Sequence, residues 1–182
     1  MSSLVALSVS IGGLGAVATY LALGPLSGII LIWAIFVGWA TFFATGGDNE
    51  ALKKTIICNV FGVICAWIAA LIILGIPLAD TLGLPVWGGL VVGVTVLGMC
   101  LAAHIQALST IPASVLGYAA TFAYLLQTPD ALSRSGLTGV NFNNALVVVA
   151  VSLAVGAGFG LASGKLGGAL TAKAPAAPPP AA

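Results

Sequence analysis

IWAIFVGWATFFA, residues 32–44, is answered later in the chain by IPASVLGYAATFA, residues 111–123. At the offset of 79 that relates them, six of thirteen positions are identical: Ile32/Ile111, Ala34/Ala113, Gly38/Gly117, Ala40/Ala119, Phe43/Phe122 and Ala44/Ala123. In so apolar a chain about one or two would match by chance. Trp39 falls opposite Tyr118, a matched aromatic. Downstream, an offset of 94 brings Asn49, Ala51, Leu52 and Gly62 onto Asn143, Ala145, Leu146 and Gly156. The chain reads as two copies of one unit.

Composition sets the solvent of that unit. Hydrophobic residues make up 60% of the chain and charged residues 5%, with a mean hydropathy of +1.21; a soluble domain carries roughly 25% charge. The charges gather as Asp48, Glu50, Lys53 and Lys54, then Asp80, Asp130, Arg134, Lys165 and Lys173. They leave apolar stretches of about 20 residues between them, the length that crosses a bilayer core as helix. An integral membrane protein with the lipid bilayer as its first partner follows. A net charge of +1 without a basic patch gives no footprint for nucleic acid. Cys58, Cys65 and Cys100 all lie inside apolar runs, where cysteine behaves as a small packing residue.

Six spans are expected. The first runs over about 4–23, with Ser8, Gly12, Gly15 and Thr19 as a small-residue stripe that lets another helix approach. After a turn at Gly24–Gly28 the second runs to about Thr45, and the third over about 50–75. A loop holding Pro77 and Asp80 leads to the fourth, about 85–105, with Gly89 and Gly93 on one face, and the fifth covers about 109–127. The connection Thr128–Phe142 has room for a short interfacial helix. The sixth, about 143–164, carries Gly156, Gly160 and Gly164, and an Ala/Pro-rich tail over 171–182 is expected to be disordered. Lys53, Lys54, Lys165 and Lys173 share one side of this scheme against Arg134 on the other. By the positive-inside rule both termini are cytoplasmic, in a bacterial inner membrane.

The fold class is therefore all-α: a polytopic membrane protein of six transmembrane helices in a single domain over 1–170. Three spans per copy, about 4–75 and about 86–164, force the second copy in upside down, so the two form an inverted repeat. Solute paths in proteins built this way commonly run near the midplane where the halves meet. Gly38, Gly62, Gly117 and Gly156 all fall there, either thinning helices around a path or permitting close packing. Trp39 with Phe43, and Tyr118 with Phe122, are candidates for a narrow apolar constriction. Thr41, Ser114, Tyr118 and Thr121 supply hydroxyls that replace water around a solute. Asn59 is the one amide deep in a span and needs a protein or water partner. His104, at a span end, is a candidate gate, although the sequence favours a histidine satisfied at the interface.

Chemistry is poorly served. Gly160-Leu-Ala-Ser-Gly164-Lys165-Leu166 has three residues where a phosphate loop needs four, and leucine where Ser or Thr must meet magnesium. Paired carboxylates, a Cys/His cluster and a nucleophile beside a base are all missing from the pattern. The expectation is no enzyme, no metal and no cofactor. Span interiors without Asp, Glu, Lys or Arg lack the usual relay for coupled pumping.

The segments Trp33-Ala34-x-Phe36-x-Gly38-xxx-Phe42-Phe43-Ala44 with Gly46-Gly47, Pro112-xxxx-Gly117-xx-Ala120-Thr121-Phe122-Ala123 and the glycine-rich last span are similar to a known family. They resemble the domain-of-unknown-function 1097 family of small bacterial inner-membrane proteins, over about residues 5–165. That resemblance implies a polytopic membrane protein and brings no substrate, cofactor or catalytic residue. Two functions remain in view. One is a channel or facilitator for a small, mostly uncharged polar solute such as urea, a short amide or ammonia. The other is a non-transporting accessory subunit of a larger membrane complex. The small-residue faces Gly12/Gly15, Gly89/Gly93 and Gly156/Gly160/Gly164, on only six spans, point to a homo-oligomer.

Overall fold

The computed structural model describes residues 1–171; the expected disordered tail, from residue 172 on, and Lys173 lie outside the described residues. Among the described residues there is helix and no strand. Four helices are long and apolar enough to cross a membrane: Ser3–Leu23 (α1), Asn49–Gly75 (α3), Leu84–His104 and Ala145–Leu170. The third of these is α-helical as α5 over Leu84–Leu101 and ends in a 3₁₀ turn; the last is α8. A one-turn helix, Ala79–Leu82 (α4), stands in the stretch read as loop. The short helix of the 128–142 connection is Arg134–Thr138 (α7), opened by the Ser133 hydroxyl, which accepts from Gly136 N–H at 3.0 Å.

The two remaining apolar helices are the repeated stretches themselves, and they are short. Ile32–Ala44 (α2) has 13 residues and Ile111–Gln127 (α6) has 17. At 1.5 Å per residue they reach about 20 and 26 Å, against about 30 Å of hydrocarbon. The second expected span thus begins several residues late, because Gly24–Leu31 folds as turns, with Gly28 at φ +79° and Leu31 extended. The fifth is preceded by two 3₁₀ turns, Ala102–His104 and Gln106–Leu108, on either side of an extended Ile105. Pro112 then sits in the first turn of α6, where its missing N–H costs nothing.

Each entry segment is held well inside the bundle. Leu31 N–H donates to Ser152 Oγ at 2.9 Å, seven residues or about 10 Å into α8. The Cys58 thiol approaches the Ala107 carbonyl at 3.5 Å, nine residues or about 14 Å into α3. Cys58 and Ser152 are themselves related by the offset of 94. Backbone that leaves the helix at membrane depth needs such partners, since hydrocarbon supplies none.

Two helix crossings form the centre. In one, α2 lies along α8: a Cβ on Gly38 would overlap the carbonyl oxygen of Leu153, and one on Gly156 that of Ile35. In the other, α3 lies along α6: a Cβ on Gly62 would overlap the carbonyl oxygen of Ser114, and one on Gly117 that of Asn59. The contacts obey the sequence offsets. Ile35 plus 79 is Ser114, and Asn59 plus 94 is Leu153. The glycines act here as removed side chains that let two backbones touch, which selects close packing over thinning around an open bore.

The outer helices pack on this centre unequally. Against α8, α1 sets Ser10, whose hydroxyl donates to the Ser163 carbonyl at 2.7 Å, and Gly167 rests on Leu7. Of the expected α1 stripe, Gly15 meets Phe36 at 3.5 Å, while Gly12 has nothing within 4 Å. On α5 only Val91 and Met99 are buried, and Gly89 and Gly93 also have nothing within 4 Å.

Candidate functional site

Four of the buried polar residues fall along the α3/α6 crossing, while Ser10, Thr41, Ser152 and Ser163 lie on α1, α2 and α8 and Asn144 caps α8. Thr55, Asn59 and Thr121 are fully buried and Ser114 is 2% exposed. Thr55 Oγ1 shares a 2.7 Å hydrogen bond with Thr45 Oγ1. The Thr121 hydroxyl donates back to the Gly117 carbonyl at 2.9 Å, the usual way a helical threonine satisfies itself in an apolar span. Asn59 does neither. Among the described residues, its Nδ2 and Oδ1 are the buried side-chain atoms without a hydrogen-bond partner. Leaving such a group unmet costs about 1–3 kcal/mol.

The remaining candidate residues go elsewhere. Trp39 is 3% exposed and donates its indole N–H to Ser163 Oγ at 2.9 Å, and its ring stacks on Phe36 at 5.8 Å and tilts against Phe159 at 5.6 Å. Phe43 packs in the same cluster, beside α1. Thr41 is buried and donates to the Val37 carbonyl of its own helix at 2.7 Å. Tyr118 and Phe122 lie 5.3 Å apart in a different cluster, with Ala66, Ala69, Val91 and Met99 of α3 and α5. The Tyr118 hydroxyl is 2.9 Å from Thr95 Oγ1. The two aromatic pairs are packed apart, one on each flank, and do not close on each other as a single ring. His104 is exposed in its 3₁₀ turn, away from both crossings.

At one end of the α3/α6 seam is a feature that pattern reading passed over as a connection. A cavity of about 430 Å³ opens between the end of α6 and the 128–144 segment, lined by Tyr124, Thr128, Asp130, Ser135, Asn141 and Asn143 among others. Its far wall is fixed. Trp67 Nε1 and Asn144 Nδ2 both donate to the Leu137 carbonyl at 2.9 Å, Asn144 Nδ2 also reaches the Gly139 carbonyl at 2.9 Å, and Leu137 is fully buried. Tyr124 OH donates to the Asn143 carbonyl at 3.2 Å. The density of Asn, Ser and Thr between 128 and 144, with Asp130 at φ +60°, was the available signal. At the opposite end, a hollow of about 280 Å³ is lined by Gly47, Asp48, Asn49, Leu161, Gly164 and Lys165. From Tyr124 the polar positions step inward through Thr121, one turn away, to Gly117 on Asn59, and then to Thr55 one turn beyond. No cluster of three or more His, Cys, Asp or Glu side chains occurs among the described residues, so the seam offers hydrogen bonds rather than ligands or acids.

A family profile described as a protein of unknown function (DUF1097) matches residues 8–168. The chain belongs to the DUF1097 family. No curated protein and no solved structure matches it. Membership covers α1 through nearly the whole of α8, so both crossings and the 128–144 cavity lie within the matched stretch.

Proposed function

We propose that this DUF1097 protein is a channel or facilitator for a small, mostly uncharged polar solute, described here in its closed form. One observation carries the reading. Thr55, Asn59, Ser114 and Thr121, none of them ionised, are buried together along the α3/α6 crossing, which runs toward the cavity lined by Tyr124, Thr128 and Asn143. Such a file replaces the hydration of a neutral molecule and leaves an ion uncompensated.

The architecture we propose is six crossings in two inverted three-helix halves, with α2 and α6 as the short members that dip into the bundle. It is supported by the four glycine contacts, which exchange correctly under the two sequence offsets. Both termini then face the cytoplasm in a bacterial inner membrane, and no catalysis, metal or cofactor is required. Stopped-flow shrinkage of proteoliposomes tests the function: a panel of urea, formamide, acetamide and glycerol should include at least one solute that enters faster than into empty liposomes. Equal rates for the whole panel sink it.

A second reading, an accessory subunit of a larger membrane complex, is favoured by the outward glycines Gly12, Gly13, Gly88, Gly89 and Gly93, with nothing within 4 Å of each. The same faces serve a homo-oligomer under the first reading. Stoichiometric co-purification with another membrane protein, joined to absent flux, selects the accessory role; flux from a homo-oligomer alone selects the facilitator.

A further inference from the structure

The geometry points to Asn59 as the binding station for one primary amide or urea molecule, seated at the α3/α6 crossing. This deepens the facilitator reading and rests on it for its route of entry, but the site is testable by itself.

The case begins with a comparison inside the molecule. At the equivalent crossing, α2 with α8, the position matching Asn59 is Leu153, fully buried in an apolar cluster with Val148 and Val149. Its carbonyl receives Gly38 as the carbonyl of Asn59 receives Gly117. A leucine therefore satisfies this packing, and the amide at 59 is not needed to build it. The other fully buried polar side chains solve their burial internally: Thr55 with Thr45, Thr121 with Gly117, Ser152 with Val148 and Ser163 with Gly160. Asn59 leaves both a donor group and an acceptor unmet, at 0% exposure.

What would meet them is set by the amide itself. One edge of the side chain presents a C=O beside an N–H. A monatomic cation pairs only with Oδ1 and an anion only with Nδ2, and either brings a charge with no counter-charge on the seam. A second primary amide, or urea, presents the complementary edge and closes both bonds at once, N–H to oxygen in each direction. With Asn59 fully buried and the backbones touching at Gly62 and Gly117, α3 and α6 must part to admit a guest, and the smaller the guest the smaller that opening. Formamide is the smallest such molecule and the natural probe.

The full-length protein in detergent micelles, labelled with ¹⁵N at asparagine, gives the test. The Asn59 side-chain NH₂ signal is assigned by its loss in Asn59→Leu, with Asn59→Asp as a second variant that keeps the side-chain shape but replaces the two N–H donors by a carboxyl. Formamide should shift that signal saturably, while ammonium and formate at equal concentration leave it in place. In proteoliposomes, formamide entry should fall at least about tenfold in either variant, the equivalent of losing one to two hydrogen bonds. An Asn59 signal that contacts water and does not answer formamide overturns the assignment. A saturable shift without flux above empty liposomes keeps the site and removes the facilitator. Flux that proceeds without the shift keeps the facilitator and removes the site.

Discussion

The two glycine crossings are built alike and filled differently. In α2/α8 the residues around the contact are Ile35, Phe42, Val149 and Leu153; in α3/α6 they are Thr55, Asn59, Ser114 and Thr121. Backbone contact at the glycines is common to both, so it is the shared framework. Buried hydroxyls occur on both, since Thr41, Ser152 and Ser163 belong to α2 and α8, but each of those is hydrogen-bonded; the unpartnered amide is confined to α3/α6 and is not explained by packing, since α2/α8 packs with a leucine at the matching position.

The sharpest way to break this comparison is to widen the crossings. Gly38→Ala, Gly156→Ala, Gly62→Ala and Gly117→Ala each drive a methyl into a backbone carbonyl, which no rotamer relieves, and each should cost about 3 kcal/mol or more. Unfolding in mixed micelles measures it. Similar losses at all four sites sharpen the equivalence, whereas tolerance at Gly62 and Gly117 alone would show that the polar crossing is the looser one. Next comes an exchange of character: Leu153→Asn should destabilise by about 2–4 kcal/mol by burying an unpaired amide, while Asn59→Leu should raise stability by about 1–3 kcal/mol by removing one. Equal signs for the two would erase the distinction between the crossings. Ser152→Ala, which strips the Leu31 N–H of its partner, should cost about 1–2 kcal/mol, and the matching Cys58→Ala less than about 0.5 kcal/mol because a thiol is a weak donor. A comparably small effect is expected at Trp67→Phe, about 1 kcal/mol or less from one hydrogen bond to Leu137, seen as faster amide exchange over 134–144.

The membrane class and four of the helices were legible because they rest on composition. The same six matches that marked residues 32–44 and 111–123 also marked Gly38 and Gly117. Their partners were not, because Ile35, Leu153, Ser114 and Asn59 receive the glycines through carbonyl oxygens that every residue carries. The late start of α2 was hidden for a similar reason: nothing in Gly24–Leu31 announces that Ser152, far along the chain, will hold its end. Asn59 stood out as a lone amide in a span, and its lack of a partner became visible only once its neighbours were in place. Aromatic type alone gave Trp39 and Tyr118 as one constriction, since residue type does not record which flank a side chain faces.

The bond between Leu31 and Ser152 also orders the protein's assembly. The two residues are 121 positions apart, so at synthesis rates of roughly 5–20 residues per second the amide of Leu31 waits on the order of ten seconds for its acceptor. During that wait α2, only 13 residues long, is too short to span on its own and has no α8 to lie against. The α3/α6 crossing joins Asn59 to Gly117 across about half that separation, as soon as α6 has emerged. The polar crossing is therefore assembled first on the ribosome, and the apolar one closes around it when the last helix arrives.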